Sequence, residues 1–314
     1  MNSIGAGVTG AVQEHRVHAN GAEICYFEWG TASSDQPTWL FCHATGFHAR
    51  CWDQVVAGLP DGAHAVAMDM RGHGRSSKTP PFNWQSFGGD TAGLIEILDL
   101  QRIIGVGHSM GGHALTQAAA RFSERFDRLV LVDPVIFDPS IKTRPARHEF
   151  DDPSEHPVAR RKARFDSWQA MYERFAERMP YSLWRSEILQ DYCHYGVLPL
   201  EDSSGFTLAC PPVVEASIYM GSLQYDLHSL LSEVLVPVLV LRAKGPEEGA
   251  EELDFTTSPT WAGLADALPQ GIDIYLPELT HFIAMQAPEL VTRCAVEPVS
   301  DRRQLEDLLE EFQR

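Results

Sequence analysis

Gly107-His108-Ser109-Met110-Gly111 sets a serine hydroxyl between two glycines at Gly-x-Ser-x-Gly spacing. The run Arg102 to Val106 before it reads as a buried strand, and His113 to Ala120 after it suits a helix, so the serine falls on a strand–turn–helix corner. Flanking glycines let strand and helix pass closely without Cβ clashes, and a strained backbone at the tip projects the hydroxyl from the carboxyl edge of a sheet. The helix N-terminus beneath it offers orphan amides and a field that favours a developing anion, which makes the Met110 amide the natural first oxyanion donor. The chemistry of such a corner is nucleophilic attack; the plain alternative is an ordinary helix-capping serine. Attack needs a neutral imidazole to take the proton, and with 13 histidines in the chain residue type alone selects none of them.

The elements that must position this corner follow from the hydrophobic pattern. Gln13 to Ala19 and Ala22 to Trp29 read as an antiparallel hairpin with Asn20-Gly21 as its turn. Strands are expected at Thr38 to Cys42, Ala65 to Met68, Arg102 to Val106, Leu129 to Val132, Leu235 to Leu241 and Ile272 to Leu276. Helices are expected at 51–58, Phe87 to Leu98, Met110 to Arg121 and, near the end, 302–313. This alternation implies an α/β fold with a mostly parallel sheet covered on both faces. The rhythm breaks after Val132. Residues 137–230 read as a largely helical insertion, dividing the chain into a core of 1–136 and 231–314 with a cap of 137–230. The insertion carries a basic run (Arg144, Arg147, Arg160, Arg161, Lys162, Arg164), read either as a solvated linker or as steering for an anionic substrate. Its aromatic residues, among them Trp168, Tyr172, Phe175 and Trp184, fit packing of a small subdomain and also the lining of a cleft.

With 25 basic against 43 acidic residues the chain carries a net charge of −18, which argues against nucleic acid and anionic lipid as partners. No apolar run approaches the roughly 20 residues needed to span a bilayer. Met1 to Gly10 lacks the features of a secretory signal. The six scattered cysteines form no CxxC pair, so reduced thiols, a cytoplasmic location and a small-molecule substrate are expected. Neither metal nor nucleotide cofactor is required by any motif. Oligomeric state is left open.

The chain resembles the α/β-hydrolase superfamily, in particular a serine esterase with the framework of the dehalogenase and epoxide-hydrolase-like group. The resemblance rests on Phe41-Cys42-His43-Ala44-Thr45-Gly46-Phe47, on the glycine-rich Asp69 to Ser77 loop, on the Ser109 corner and on Leu279-Thr280-His281-Phe282, in that order. It implies an α/β-hydrolase fold with a helical cap. It nominates Thr45 as the second oxyanion amide, with a donor shifted by one residue as the alternative, because Ala44 stands where a glycine is usual and Gly46 follows. His43 is then a loop-fixing residue. Arg71, His73 and Arg75 tie neighbouring turns together. His281, after the last strand, occupies the position of the base. His108 and His113 are not expected to serve as base, and His194 is a candidate substrate contact. A serine rather than an aspartate at the corner disfavours dehalogenation and epoxide opening, since the serine adduct of those substrates is an ether that water does not cleave.

The acid is less defined. Relatives commonly carry it after the strand that ends at Leu241, but Arg242-Ala243-Lys244-Gly245-Pro246-Glu247-Glu248-Gly249 breaks that pattern. Asp133, at the end of the strand Leu129 to Val132, corresponds to a second placement in the family. Glu247, Glu248 and Asp254 are the alternatives, and an Asp-Pro turn cap is the structural reading of Asp133. The expected activity is cofactor-free hydrolysis of carboxylic esters or related acyl compounds with an apolar part, through a Ser109-His281-Asp133 triad and an acyl-enzyme. The alternatives are hydrolysis of a carbon–carbon bond in a diketone-like substrate, a perhydrolase side reaction of the same acyl-enzyme, or a small-molecule receptor that keeps a hydrolase pocket.

Overall fold

The computed structural model describes residues 11–140, 150–202, 204–222, 225–246, 254–297 and 304. The first half of the chain forms β1 (Gln13–Ala19), β2 (Ala22–Trp29), β3 (Thr38–Cys42), α1 (Asp53–Ala57), β4 (His64–Met68), α2 (Trp84–Ile97), β5 (Ile103–His108), α3 (Met110–Arg121) and β6 (Phe126–Val132). Then come β7 (Arg164–Phe165), α4 (Trp168–Phe175), α5 (Ser186–Tyr195), β8 (Val197–Pro199), β9 (Phe206–Leu208) and α6 (Pro212–Met220). The chain returns through β10 (Val238–Ala243), α7 (Leu264–Ala267), β11 (Gly271–Leu276), α8 (Ile283–Gln286) and α9 (Pro288–Val296).

Eight strands make one sheet in the order β1-β2-β4-β3-β5-β6-β10-β11. β1 pairs antiparallel with β2, and β2 antiparallel with β4; every later pairing is parallel. The β1–β2 turn is Asn20-Gly21, both at positive φ (47° and 76°), the backbone a two-residue hairpin demands. Every residue of β3, β4 and β5 is buried, as expected for parallel strands with helices on both faces. Apolar side chains of the sheet divide between two cores, one holding Phe41, Trp52, Val106 and Leu290, the other Leu40, Phe87, Leu115 and Val240. The expected mostly parallel sheet, helical layers and helical insertion are therefore all present.

One detail departs from the sequence-based expectation. The insertion contains a three-stranded antiparallel sheet, β7-β9-β8, beside its helices. Its strands are only 2–3 residues long, too short to leave a period-2 pattern in the sequence. The helix expected at 302–313 lies outside the described residues, as do Arg144 and Arg147 of the basic run.

The order of the sheet fixes where a site can form. β3 and β5 are neighbours, but the chain leaves β3 toward β4 on one side and leaves β5 toward β6 on the other. The loops after β3 and β5 thus flank a crevice at the carboxyl edge, at the point where strand order reverses. Close approach across this crevice depends on Gly111, where a Cβ would stand 2.1 Å from the Cys42 carbonyl oxygen, and on Gly107, where it would stand 2.7 Å from the Gly111 carbonyl oxygen. Gly111→Ala should push the start of α3 away from β3, because the overlap is with backbone that has no rotamer to change. A loss of about 3 kcal/mol or more in chemical denaturation is expected; a variant within ~0.5 kcal/mol of wild type would show that the two backbones have room to part.

Candidate active site

Ser109 sits between β5 and α3 at φ 57° and ψ −116°. A serine in this region is strained by about 1–3 kcal/mol and keeps the conformation only where neighbours impose it. They do so here through its amide, which donates to Val132 O at 3.0 Å, and its carbonyl, which accepts from Val135 N at 3.2 Å. The residue is 5% exposed, so the hydroxyl is not on open surface.

The loop after β11 brings His281 to this hydroxyl. Its Nε2 is 3.1 Å from Ser109 Oγ and its Nδ1 is 2.6 Å from Asp133 Oδ2. Asp133 ends β6 at φ 45° and is completely buried. Its second oxygen, Oδ1, accepts from Ala243 N at 2.9 Å and Ser258 Oγ at 2.6 Å, while the nearby Thr260 hydroxyl donates to Pro134 O at 2.7 Å. With that oxygen held by two donors and the other aimed at Nδ1, the imidazole is oriented with its proton on Nδ1 and its lone pair toward Ser109. Of the alternative carboxylates, Asp254 is exposed and accepts from Thr256 N and Thr256 Oγ1 at 2.8 and 2.7 Å, capping its own turn. Glu247 and Glu248 lie outside the described residues.

The loop after β3 is held by two neutral histidines. His43 Nε2 accepts from Met70 N at 2.9 Å, leaving Nδ1–H to donate to Ala44 O at 2.7 Å. His73 Nε2 accepts from Gly46 N at 2.9 Å, and its Nδ1–H donates to Arg71 O at 3.0 Å. Each ring therefore needs one bare nitrogen, and burial lowers the pKa of His43 to about 4 and of His73 well below the ordinary value. The Gly46 amide is thus already engaged. Thr45 touches the first turn of α3, with Oγ1 3.4 Å from Met110 Sδ. Arg71 pairs with buried Asp90, its Nε 2.9 Å from Oδ2, while the Arg75 amide donates to Asp69 Oδ2 at 2.7 Å.

His108, His113 and His194 make their contacts elsewhere. His108 turns its Nε2–H to the His281 carbonyl at 2.8 Å and so holds the backbone of that residue. His113 is buried against Trp84, with ring centroids 4.8 Å apart, and burial lowers its pKa to about 3. His194 is exposed and stacks on Trp168 at 4.9 Å. A role for His108 was not evident in the sequence, since the carbonyl it holds is 173 residues away.

The insertion covers the site with aromatic rings. Phe47, next to the oxyanion loop, meets Trp184 at 5.5 Å, Tyr192 at 5.2 Å, Phe282 at 6.2 Å and His108 at 5.9 Å. Of the other insertion aromatics, Phe175 packs on Tyr181 at 4.4 Å, which stays within the insertion. Among the described residues no group of histidine, cysteine and carboxylate side chains is arranged to hold a metal ion. No helix among them is long and apolar enough to cross a membrane. All six cysteines are buried and unpaired.

A crevice at the strand-order reversal, a serine on a strained strand–helix corner and a histidine after the last strand define a hydrolase framework, and the whole-chain comparison agrees. Residues 39–293 match the family described as alpha/beta hydrolase, and the chain belongs to that family. An uncharacterized protein of Mycobacterium tuberculosis is 34% identical over 97 residues, which is 31% of this chain and 28% of that protein, so the chain spans less than a third of that relative. The 2-(acetamidomethylene)succinate hydrolase of Mesorhizobium japonicum is 26% identical over 252 residues, covering 80% of this chain and 86% of that enzyme. A crystal structure of E-2-(acetamidomethylene)succinate hydrolase superimposes with a TM-score of 0.70 at 22% identity, covering 96% of this chain and 100% of that one.

The buried neutral histidines carry a pH signature. The unfolded chain binds a proton on each below about pH 6.5, whereas folded His43 does so only near 4 and His113 near 3. Unfolding in that window takes up protons, so stability is fully present above about 6.5 and falls as pH drops toward 4, by on the order of 3 kcal/mol for His43 alone. Thermal melts between pH 7.5 and 4.5 should show Tm declining below 6.5; a level Tm down to pH 4.5 would contradict neutral buried rings.

Proposed function

We propose that the protein hydrolyses carboxylic esters or closely related acyl compounds with an apolar part through an acyl-enzyme on Ser109. The observation that carries this reading is the unbroken chain of contacts from Asp133 through His281 to Ser109, at 2.6 and 3.1 Å. In this mechanism His281 Nε2 takes the Ser109 proton as Oγ attacks the carbonyl carbon. Asp133 keeps the ring in the Nδ1–H tautomer and stabilises the imidazolium that forms. The Thr45 and Met110 amides receive the oxyanion; engagement of the Gly46 amide by His73 supports Thr45 over the position after it. The imidazolium then protonates the leaving oxygen. A water takes its place, gives its proton to His281 and opens the acyl-enzyme. The rings of Phe47, Trp184 and Phe282 favour a substrate with an apolar portion.

Ser109→Ala should abolish ester turnover and labelling by a fluorophosphonate probe while leaving the melting profile intact. Mapping the adduct mass in wild type to the peptide holding Ser109 is the expected positive result, and an adduct elsewhere sinks the assignment. Asp133→Asn should lower kcat by up to about 10⁴-fold, since it can favour the wrong tautomer. Asp254→Asn should stay within about threefold, as exposed turn caps do not touch the imidazole. A reversed pattern would move the acid to the later loop.

A further inference from the structure

Of the basic run in the insertion, Arg160, Lys162 and Arg164 face outward, but Arg161 turns in, with its side chain 21% exposed. Its Nη1 donates to both oxygens of Glu215, at 3.0 and 2.7 Å, and its Nη2 to the Tyr192 hydroxyl at 3.2 Å. Glu215 lies in the first turn of α6 and is only 4% exposed. Its carboxylate is seated on the oxyanion loop, where a Cβ at Gly46 would come within 2.6 Å of Oε1. A small cavity with room for about one water lies here, between that loop and the insertion, lined by Gly46, Phe47, Arg161, Tyr192, Leu208 and Cys210 among others. Its lining starts at Gly46, the residue after Thr45 in the chain.

The charges of this wall cancel. Arg161 is the charged side chain lining the cavity, and the carboxylate that neutralises it is bonded through both oxygens to a single nitrogen. A second carboxylate brought to the guanidinium would lie a few ångströms from Glu215. There repulsion offsets the attraction, and the desolvation cost of a third buried charge is left uncompensated. An uncharged acceptor meets no such repulsion. A guanidinium has five N–H groups, and among the described residues Nε makes no hydrogen bond.

We propose that Arg161 and Glu215 form a charge-neutral specificity subsite that takes an uncharged hydrogen-bond acceptor of the substrate's acyl part, such as an amide or ketone oxygen, and rejects a carboxylate in the same place. Glu215 is the excluding element, a repulsive group built against one class of ligand. The subsite rests on the acyl-hydrolase reading of Ser109.

The test compares kcat/KM for three p-nitrophenyl esters of matched length: the monoester of glutaric acid, its monoamide, and the pentanoate. Wild type should favour the amide over the carboxylate by about tenfold or more. Glu215→Gln leaves the Arg161 charge open to an anion and should move that ratio toward the carboxylate by about tenfold or more. The double variant Arg161→Met, Glu215→Leu removes both charges without orphaning either, and should shift preference from the amide to the pentanoate. It keeps the question decidable should Glu215→Gln not fold. Turnover with the wild-type ratio unchanged in a folded variant, or a wild type that prefers the carboxylate, overturns the subsite alone. Absence of turnover on all three esters in wild type overturns the hydrolase reading and the subsite with it.

Discussion

The buried carboxylate of Asp133 is the constraint around which the carboxyl edge of the sheet is arranged. A fully desolvated charge costs several kcal/mol unless each oxygen is bonded, and here the partners come from sequence positions 110, 125 and 148 residues away. Satisfying one side chain therefore fixes the end of β10, the 258–260 turn and the His281 loop relative to the end of β6. The Asp133 amide adds a bond to Leu241 O at 2.7 Å, which ties β6 to β10 from the backbone side. The position of the imidazole over Ser109 is a by-product of solvating an anion without water.

Above this edge the space between sheet and insertion is divided chemically. Phe47 leads into a wall of rings, with Trp184 5.3 Å from Phe282 and 5.4 Å from Tyr192. Gly46, its neighbour, faces the Arg161–Glu215 pair. Each ring contact adds roughly 0.5–1.5 kcal/mol to docking of the insertion, whereas a buried ion pair adds little net stability and serves better as a selective element. A single loop after β3 thus touches both the aromatic wall and the ion pair.

The parallel strands were legible because strands covered on both faces are short continuous apolar runs, and the Ser109 corner because glycines mark the close approach of β5 and α3. His281 was placed by its position after the last strand. Asp133 stood among four carboxylates, since which acid meets an imidazole is decided by side-chain direction, and the sequence carries no signal for that. The insertion was harder. Its strands β7, β8 and β9 lack the length to show a period, and Arg161 looks like its outward-facing neighbours Arg160 and Lys162 until Glu215, 54 residues on, draws it inward. Long-range pairing of polar groups leaves no periodic trace.

The two histidines under the loop after β3 bear on timing. His43 and His73 lie edge to face, 5.0 Å apart; each joins that loop to the 69–73 segment through the bond its Nε2 accepts, while its Nδ1–H donates within its own segment. Neither bond involves a substrate. The loop is assembled once, when the chain folds, so its conformational entropy is lost then and not at every turnover. A loop held in this way needs no ordering step of its own when a ligand arrives.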